Sequence, residues 1–372
     1  MEMGPPCGAV RGAMINPADQ APIVVLTGFL GAGKSTLLQA LLSQPEFADT
    51  GLVINEFGDV AIDHELLAAG VTDVAVTSTG CICCTAGADV RASIAQVHEA
   101  ARQMGRLPLP RIVVETTGLA DPAPVVNQLV AGAVPAFGLR DHTVARHYRL
   151  AGVVSVFDVV DGPAALKAHP ESVKQIAFAD RIVLTKSDLL APDEQDARVS
   201  EVTALLRQIN PTATVLSVEA ARRAIGAVFA PRPYAPRDLG VNVESWLQAA
   251  AHAHHDHHHH EHGDDGGFGV RSASIVLDAP VDKGALAHAM DLIQMLYGPQ
   301  LLRLKGIVSF ADDTEAPYVL QVVQHVVHPL ARLAAWPSAD RRTRIVVITQ
   351  GIDPRQIEDM LRAQLATAPL NA

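Results

Sequence analysis

Seven short apolar runs recur between Ile23 and Val218: IVVLTG (23–28), GLVIN (51–55), DVAVTS (73–78), RIVVET (111–116), GVVSVFD (152–158), RIVLTK (181–186) and ATVLSV (213–218). Within each run apolar and polar residues do not alternate, so both faces of these strands are expected to be buried. Turns and helical stretches separate the runs. That combination predicts an α/β unit with a mainly parallel sheet, because parallel neighbours need helical crossovers that then cover the sheet. The stretch holding Val90, Ile94, Val97, Ala101 and Met104 has helical spacing, which predicts one such covering face.

At 372 residues the chain exceeds one typical core, so a second domain is expected. The α/β unit is assigned to residues 22–230. The composition then changes through APRPYAPRDLG, a short helix around Trp246 and HAHHDHHHHEHGDDGG, which holds eight of the sixteen histidines. Residues 231–267 therefore read as a Pro- and His-rich linker. Beyond it, VRSASIVLDAP (270–280), a helix over 282–297, LLRLKGIVSF (301–310), YVLQVVQHVVH (318–328), TRIVVITQ (343–350) and a last helix predict a smaller α+β domain over 268–366.

Residues 1–21 lack a signal peptide's charged start and apolar run and read as a disordered tail. A net charge of −11 excludes nucleic acid as the main partner, since no excess of Lys and Arg exists to neutralise phosphates. No apolar run reaches the roughly 18 residues of a membrane span. The four cysteines, three of them crowded at positions 81–84, make no disulfide framework and suit a reducing cytoplasm. Oligomeric state, monomer or dimer, is left open.

The most specific chemistry lies in GFLGAGKST, from Gly28 to Thr36, which matches G-x-x-x-x-G-K-[ST] after a buried strand and before TLLQALL. In such a loop the backbone amides of Gly28, Gly31, Ala32, Gly33, Lys34, Ser35 and Thr36 curl around phosphates. Lys34 reaches the β and γ oxygens, and Ser35 offers its hydroxyl to Mg²⁺. In RIVVETTG, Glu115 ends a strand and can hold Mg²⁺ directly or through water. Gly118, three residues on, can bring its amide to a γ-phosphate. In RIVLTKSD, Thr185, Lys186 and Asp188 form a base-recognition stretch. Asp188 can accept from the N1–H and amino group of guanine, a donor pair that adenine lacks. The competing expectation is that Ser187 or Asp188 caps the following helix. Ser217, after the last strand, can reach the base from its loop.

TGCICCT places Cys81, Cys83 and Cys84 within four positions. Three readings stand: a metal-transfer site, a redox or sensor thiol, and buried packing cysteines. Thiolates suit Zn²⁺ or Co²⁺, and three on one short loop leave the shell to be completed by another ligand. An incomplete shell favours release over a structural knot. His252, His254, His255, His257, His258, His259, His260 and His262 form an auxiliary run. It reads either as a solvated linker or as an antenna that concentrates ions near the cysteines.

Five stretches in order, GFLGAGKSTLL, INEFGDVAIDHELL, GCICC, ETTGLADPAPV and LTKSD, resemble the CobW-like metallochaperone family of P-loop GTPases. LLRLKGIV and TRIVVITQGID resemble that family's C-terminal domain, so the likeness spans roughly 22 to 362. The resemblance implies a P-loop NTPase domain and slow hydrolysis of Mg·GTP involving Lys34, Glu115 and Asp59. It also implies GTP-dependent delivery of Zn²⁺, or of Co²⁺ for cobalamin synthesis, to a client metalloprotein. A switch segment from Asn55 to Asp63 would carry Asp59 or Glu56 toward the Mg²⁺ or the thiolates. Two departures stand out. Thr185 replaces the Asn of many GTPases, which weakens an expected base or loop contact, and Asp59 replaces the Glu of NEFGE. Rival readings are a His-rich metal store and an ATP-using small-molecule kinase.

Overall fold

A computed structural model describes residues 20–47, 49–54, 76–78, 89–130, 138–230 and 268–366. The first sheet is built from β1 (Ala21–Gly28), β2 (Thr50–Ile54), β3 (Val76–Ser78), β4 (Arg111–Glu115), β5 (Tyr148–Asp158), β6 (Arg181–Thr185) and β7 (Thr214–Ser217). Its order is β3-β2-β4-β1-β5-β6-β7. Every pairing is parallel, as the apolar runs require.

Alternate residues of the central strands feed two cores. Ile23 and Val25 join Val53, Ile112 and Val114 on one face, under the helices Val90–Gln103, Ala123–Leu129, Pro170–Phe178 and Pro192–Ile209. Val24 and Leu26 join Leu52, Val113, Val154 and Val183 on the other, under Leu37, Leu38 and Leu41 of the Lys34–Leu42 helix.

The Val90–Gln103 helix starts where the Asp89 carboxylate accepts from Arg91 N–H at 3.0 Å, a cap whose loss costs about 1 kcal/mol. Val90, Ile94, Val97 and Ala101 are buried as their spacing predicts, but Met104 is 59% exposed. The helix stops at Gln103, and Gly105 turns the chain away with φ 70°, which takes Met104 off the packed face.

The second sheet comprises β8 (Val270–Leu277), β9 (Leu301–Phe310), β10 (Asp313–Val323), β11 (Val326–Val327), β12 (Ala331–Arg332) and β13 (Thr343–Gln350). Its path is β11-β10-β9-β13-β8, with β12 on β10, and all of these pairings are antiparallel. Residues 318–328, expected as one strand, are instead a hairpin. Val322 pairs with Val327 and Val323 with Val326 around Gln324, whose φ is 50°. One face of this sheet is covered by the helices Lys283–Tyr297 and Arg355–Ala366 through Leu286, Ile293, Ile357 and Leu361. From its other face, Val270, Leu302, Val323 and Ile348 enter the core beneath the helices of the first sheet. The two sheets thus share apolar packing through the Pro170–Phe178 and Pro192–Ile209 helices.

Among the described residues, no helix is long and apolar enough to cross a membrane. The expected tail up to residue 19, the linker 231–267 with its short helix, and the end beyond 366 lie outside the described residues.

Candidate functional site

The sheet order reverses at β1, whose neighbours β4 and β5 continue to opposite edges. A crevice opens at the carboxyl ends of strands at such a point. Gly28 ends β1, Glu115 ends β4, Asp158 ends β5 and Thr185 ends β6, so these residues line one edge of the sheet.

After β1 the chain folds into a tight loop, with Ala32 N–H donating to the Phe29 carbonyl at 3.1 Å. Gly28 has φ 140°, and a Cβ there would fall 2.4 Å from the Val156 carbonyl oxygen, so no other residue fits. Gly31 is exposed at the crest, Ala32 is buried beneath it and Gly33 caps the Lys34–Leu42 helix. Ser35 is half-buried in the first turn and Thr36 exposed. The Lys34 ammonium turns back into the loop, donating to the carbonyls of Gly28 at 2.9 Å and Phe29 at 3.2 Å. A buried ammonium, a helix N-terminus and a tightly curled backbone together suit a polyphosphate.

The stretch after Glu115 is bound to this loop. Glu115 is buried, and Thr116 N–H donates to the Leu26 carbonyl at 2.9 Å while its hydroxyl donates to Thr27 Oγ1 at 2.9 Å. A Cβ on Gly118 would lie 2.5 Å from both N and Cα of Leu30, so the two backbones meet directly. On the opposite side, Gln175 Nε2 donates to the carbonyls of Gly118 and Ala120, each at 3.1 Å.

Thr185 Oγ1 donates to the Ala32 carbonyl at 2.7 Å, and the Phe157 carbonyl lies within range at 3.2 Å. The threonine therefore makes its own loop contact in place of the expected Asn. Lys186 follows with φ 62°, a left-handed conformation uncommon outside glycine, and its ammonium pairs with Asp158 at 2.6 Å. Ser187 is buried and Asp188 exposed in the turn Ser187–Leu189. Neither caps the next helix. That helix begins at Pro192 after Ala191, beyond reach of the turn, and its N-cap makes no side-chain hydrogen bond. Ser217 is itself a cap, its hydroxyl accepting from Ala220 N–H at 3.2 Å.

Beside the loop lies a cavity of about 300 Å³, lined by Phe29, Leu30, Phe157, Asp158, His169 and Lys186 among others. The Phe29 and His169 rings pack against each other, tilted by 34° with centroids 4.7 Å apart.

Two residues of this site escaped the sequence reading. Asp158 had a signal, an acid ending an apolar run just as Glu115 does. Gln175 had none, because its partners are 57 and 55 positions away. Cys81, Cys83 and Cys84, the segment Asn55 to Asp63 with Glu56 and Asp59, and the histidine run lie outside the described residues. Among the described residues, no group of three or more His, Cys, Asp or Glu is placed to hold a metal ion.

Residues 22–217 match the CobW/HypB/UreG nucleotide-binding domain, and residues 270–365 match the cobalamin synthesis protein cobW C-terminal domain. The chain belongs to the CobW family of P-loop GTPases. The two matched segments correspond to the two sheets. Among relatives, the zinc chaperone CobW of Pseudomonas aeruginosa is 30% identical over 398 residues, covering 96% of this chain and 95% of its own. The zinc chaperone YjiA of Escherichia coli is 26% identical over 346 residues, covering 92% and 97%. The crystal structure of Zn(II)-bound YjiA GTPase from E. coli has a TM-score of 0.65 at 21% identity, covering 93% of this chain and 99% of that one. That likeness bears on the CobW fold: a P-loop NTPase sheet followed by a separate antiparallel one.

Proposed function

We propose that this CobW-family chain is a GTP-dependent metallochaperone. It binds Mg·GTP at the crevice beside β1, holds one divalent transition ion at Cys81, Cys83 and Cys84, and passes it to a client metalloprotein when GTP is hydrolysed. The observation that carries the nucleotide half is the meeting of Lys34, Glu115 and Gly118 at the ends of two adjacent strands, with Gly118 pressed against the phosphate loop at Leu30. Glycine there permits that close approach, and the Gly118 amide is the one that would reach a γ-phosphate.

The Ser35 hydroxyl and Glu115 carboxylate are hard oxygen donors of the kind Mg²⁺ takes; they would hold the ion, which would neutralise phosphate charge. Lys34 adds a fixed positive charge inside the loop. Thr185 ties the base-recognition strand to Ala32 in the phosphate loop, and Asp188 beyond it offers the carboxylate that selects guanine over adenine. Asp59 or Glu56, on the switch segment, would respond to the same γ-phosphate. Turnover is slow until metal or client binds.

Zinc is the first ion to test because two relatives that cover almost the whole chain are named zinc chaperones. Cobalt accepts the same thiolates and is the competitor. The decisive measurement is equilibrium affinity for Zn²⁺, and for Co²⁺ in competition, with a non-hydrolysable GTP analogue and with GDP. Tighter binding with the analogue, dependent on Cys83 and Cys84, is expected. Equal affinities would sink the coupling, because a nucleotide that does not discriminate cannot drive release.

A further inference from the structure

The Pro170–Phe178 helix touches the Gly118 loop through Lys174 and Gln175, and the second domain through the carbonyls that follow them. Gln175, 1% exposed, places its carboxamide under the Gly118 loop and donates to the carbonyls of Gly118 and Ala120. Next to it, the Lys174 ammonium pairs with Asp121 at 2.6 Å, and the other Asp121 oxygen accepts from Ala123 N–H at 2.9 Å. The loop is thus pinned between Leu30 above and the helix below.

The carbonyls just after Gln175 are held as firmly. A helix leaves its last carbonyls unsatisfied within itself. Here Asn210 Nδ2 donates to the carbonyls of Ile176, Ala177 and Ala179 at 2.9, 3.1 and 2.9 Å. Arg303, on β9 of the second sheet, donates to the Phe178 carbonyl and to the Ala179 carbonyl, the latter at 3.0 Å. The same guanidinium pairs with the buried Asp180 carboxylate.

We infer that Gln175 is a positioning residue for GTP hydrolysis, and that its helix carries the state of the Gly118 loop to Arg303 and so to the second domain. A shift of the loop toward a γ-phosphate drags both carbonyls that Gln175 holds. The helix cannot absorb that shift at its C-terminal end without disturbing five side-chain hydrogen bonds to its last carbonyls, two of them from the second domain. A packed segment tied within a few residues both to the loop and to the second domain moves as a body.

The inference rests on the reading of this chain as a GTPase. In the test, full-length protein carrying Gln175→Met keeps the side-chain shape and loses the donor, and Arg303→Lys keeps the buried charge while altering the grip on the carbonyls. Single-turnover GTP hydrolysis, GDP affinity, melting temperature and hydrogen exchange of β9 amides with a GTP analogue and with GDP are measured for each. For Gln175→Met, hydrolysis is expected to slow by 10-fold or more, approaching the about 10²-fold that a small misplacement costs. GDP affinity should stay within about threefold, since Lys34 and Thr185 are untouched.

The wild-type protein should show nucleotide-dependent exchange in β9, and both variants should lose that difference. Gln175→Glu gives a second arm: its carboxyl donates to a carbonyl only when protonated, so its rate should recover partly as pH falls. An unchanged rate in Gln175→Met, or β9 exchange that ignores the nucleotide in wild type, would overturn the inference while leaving GTP hydrolysis intact. No hydrolysis by the wild-type protein would instead overturn the reading on which it rests.

Discussion

Asp180, at the foot of the first sheet's β6, and Arg303, on the second sheet's β9, form an ion pair in which both side chains are 2% exposed. The other Asp180 oxygen accepts from Val153 N–H at 3.0 Å, and Lys305 stands 3.5 Å from the shared oxygen. Burial alone would raise the Asp180 pKa. Arg303, Lys305 and the Val153 amide outweigh burial and hold the carboxyl well below the usual carboxylate range. The boundary between the sheets is therefore charged at its centre and apolar around it, with Val270, Leu302, Val323 and Ile348 packed nearby.

Removing one partner strands the other in a dry site. Arg303→Met is expected to destabilise the protein by about 3–5 kcal/mol, the cost typical of breaking a buried pair. Asp180→Asn should cost at least as much, because it takes the carboxylate from two buried cations, Arg303 and Lys305, while Asp180 in the Arg303→Met protein keeps Lys305 and Val153 N–H. The double variant should fall short of the sum of the singles, since each single already forfeits the pair. Urea denaturation of the four proteins tests this; additive effects would show that the pair contributes nothing beyond its separate members.

His328 makes the same boundary sensitive to acid. Burial, followed by the nearby Arg303, lowers its pKa from 6.5 to about 3, with Asp180 acting weakly in the opposite sense. Between those values the unfolded chain holds a proton that the folded one does not. Stability is therefore full above pH about 6.5 and falls as pH drops toward 3, by up to about 1.4 kcal/mol per pH unit. Asp180 adds a loss in the same direction at still lower pH. His328→Gln cannot titrate, so its stability should vary less between pH 6.5 and 4. Identical slopes in the two proteins would assign the acid sensitivity elsewhere.

The parts of this molecule visible in sequence are those whose causes are local. The seven apolar runs reveal buried parallel strands, and GFLGAGKST declares a loop whose shape depends on its own glycines. Asp158 was legible in principle, but one acid after VVSVF lacks the glycine that made Glu115 recognisable. Gln175, Asp180 and Arg303 were not legible, since an ion pair across 123 positions leaves no spacing to detect. The Ser187 and Asp188 cap failed for a geometric reason: Lys186 takes a left-handed turn, which spends those residues on a turn before the helix starts. The 318–328 run misled because its valines continue through a turn that depends on the backbone of Gln324.

Lys186 separates backbone strain from side-chain function. Its φ of 62° costs about 1 kcal/mol for a residue with a Cβ, and its ammonium neutralises Asp158, whose side chain is 7% exposed. Lys186→Gly and Lys186→Ala both lose the ion pair, but glycine relieves the strain. The Gly variant should be more stable than the Ala variant by about 1 kcal/mol. Both should bind GDP about tenfold more weakly, if Lys186 contacts the nucleotide as the base-recognition stretch predicts. Denaturation reports the first difference and nucleotide titration the second. Equal GDP affinity in wild type and both variants would remove Lys186 from the nucleotide site.

The cysteines and the histidine run make opposite claims on bound metal, and stoichiometry separates them. A site that needs thiolates must shed protons to bind Zn²⁺, and its affinity rises with pH as the thiols ionise. A run of imidazoles binds several ions weakly, through no single set of ligands. Deleting residues 252–262 is therefore expected to lower the number of weakly bound zinc ions while leaving one tight ion per chain in the presence of a GTP analogue. Cys83→Ser with Cys84→Ser should do the reverse, abolishing the tight ion and sparing the weak ones. Zinc titration against a competing chelator resolves the two classes. If the deletion removes the tight ion as well, the histidines complete the cysteine shell, and the two sites are one.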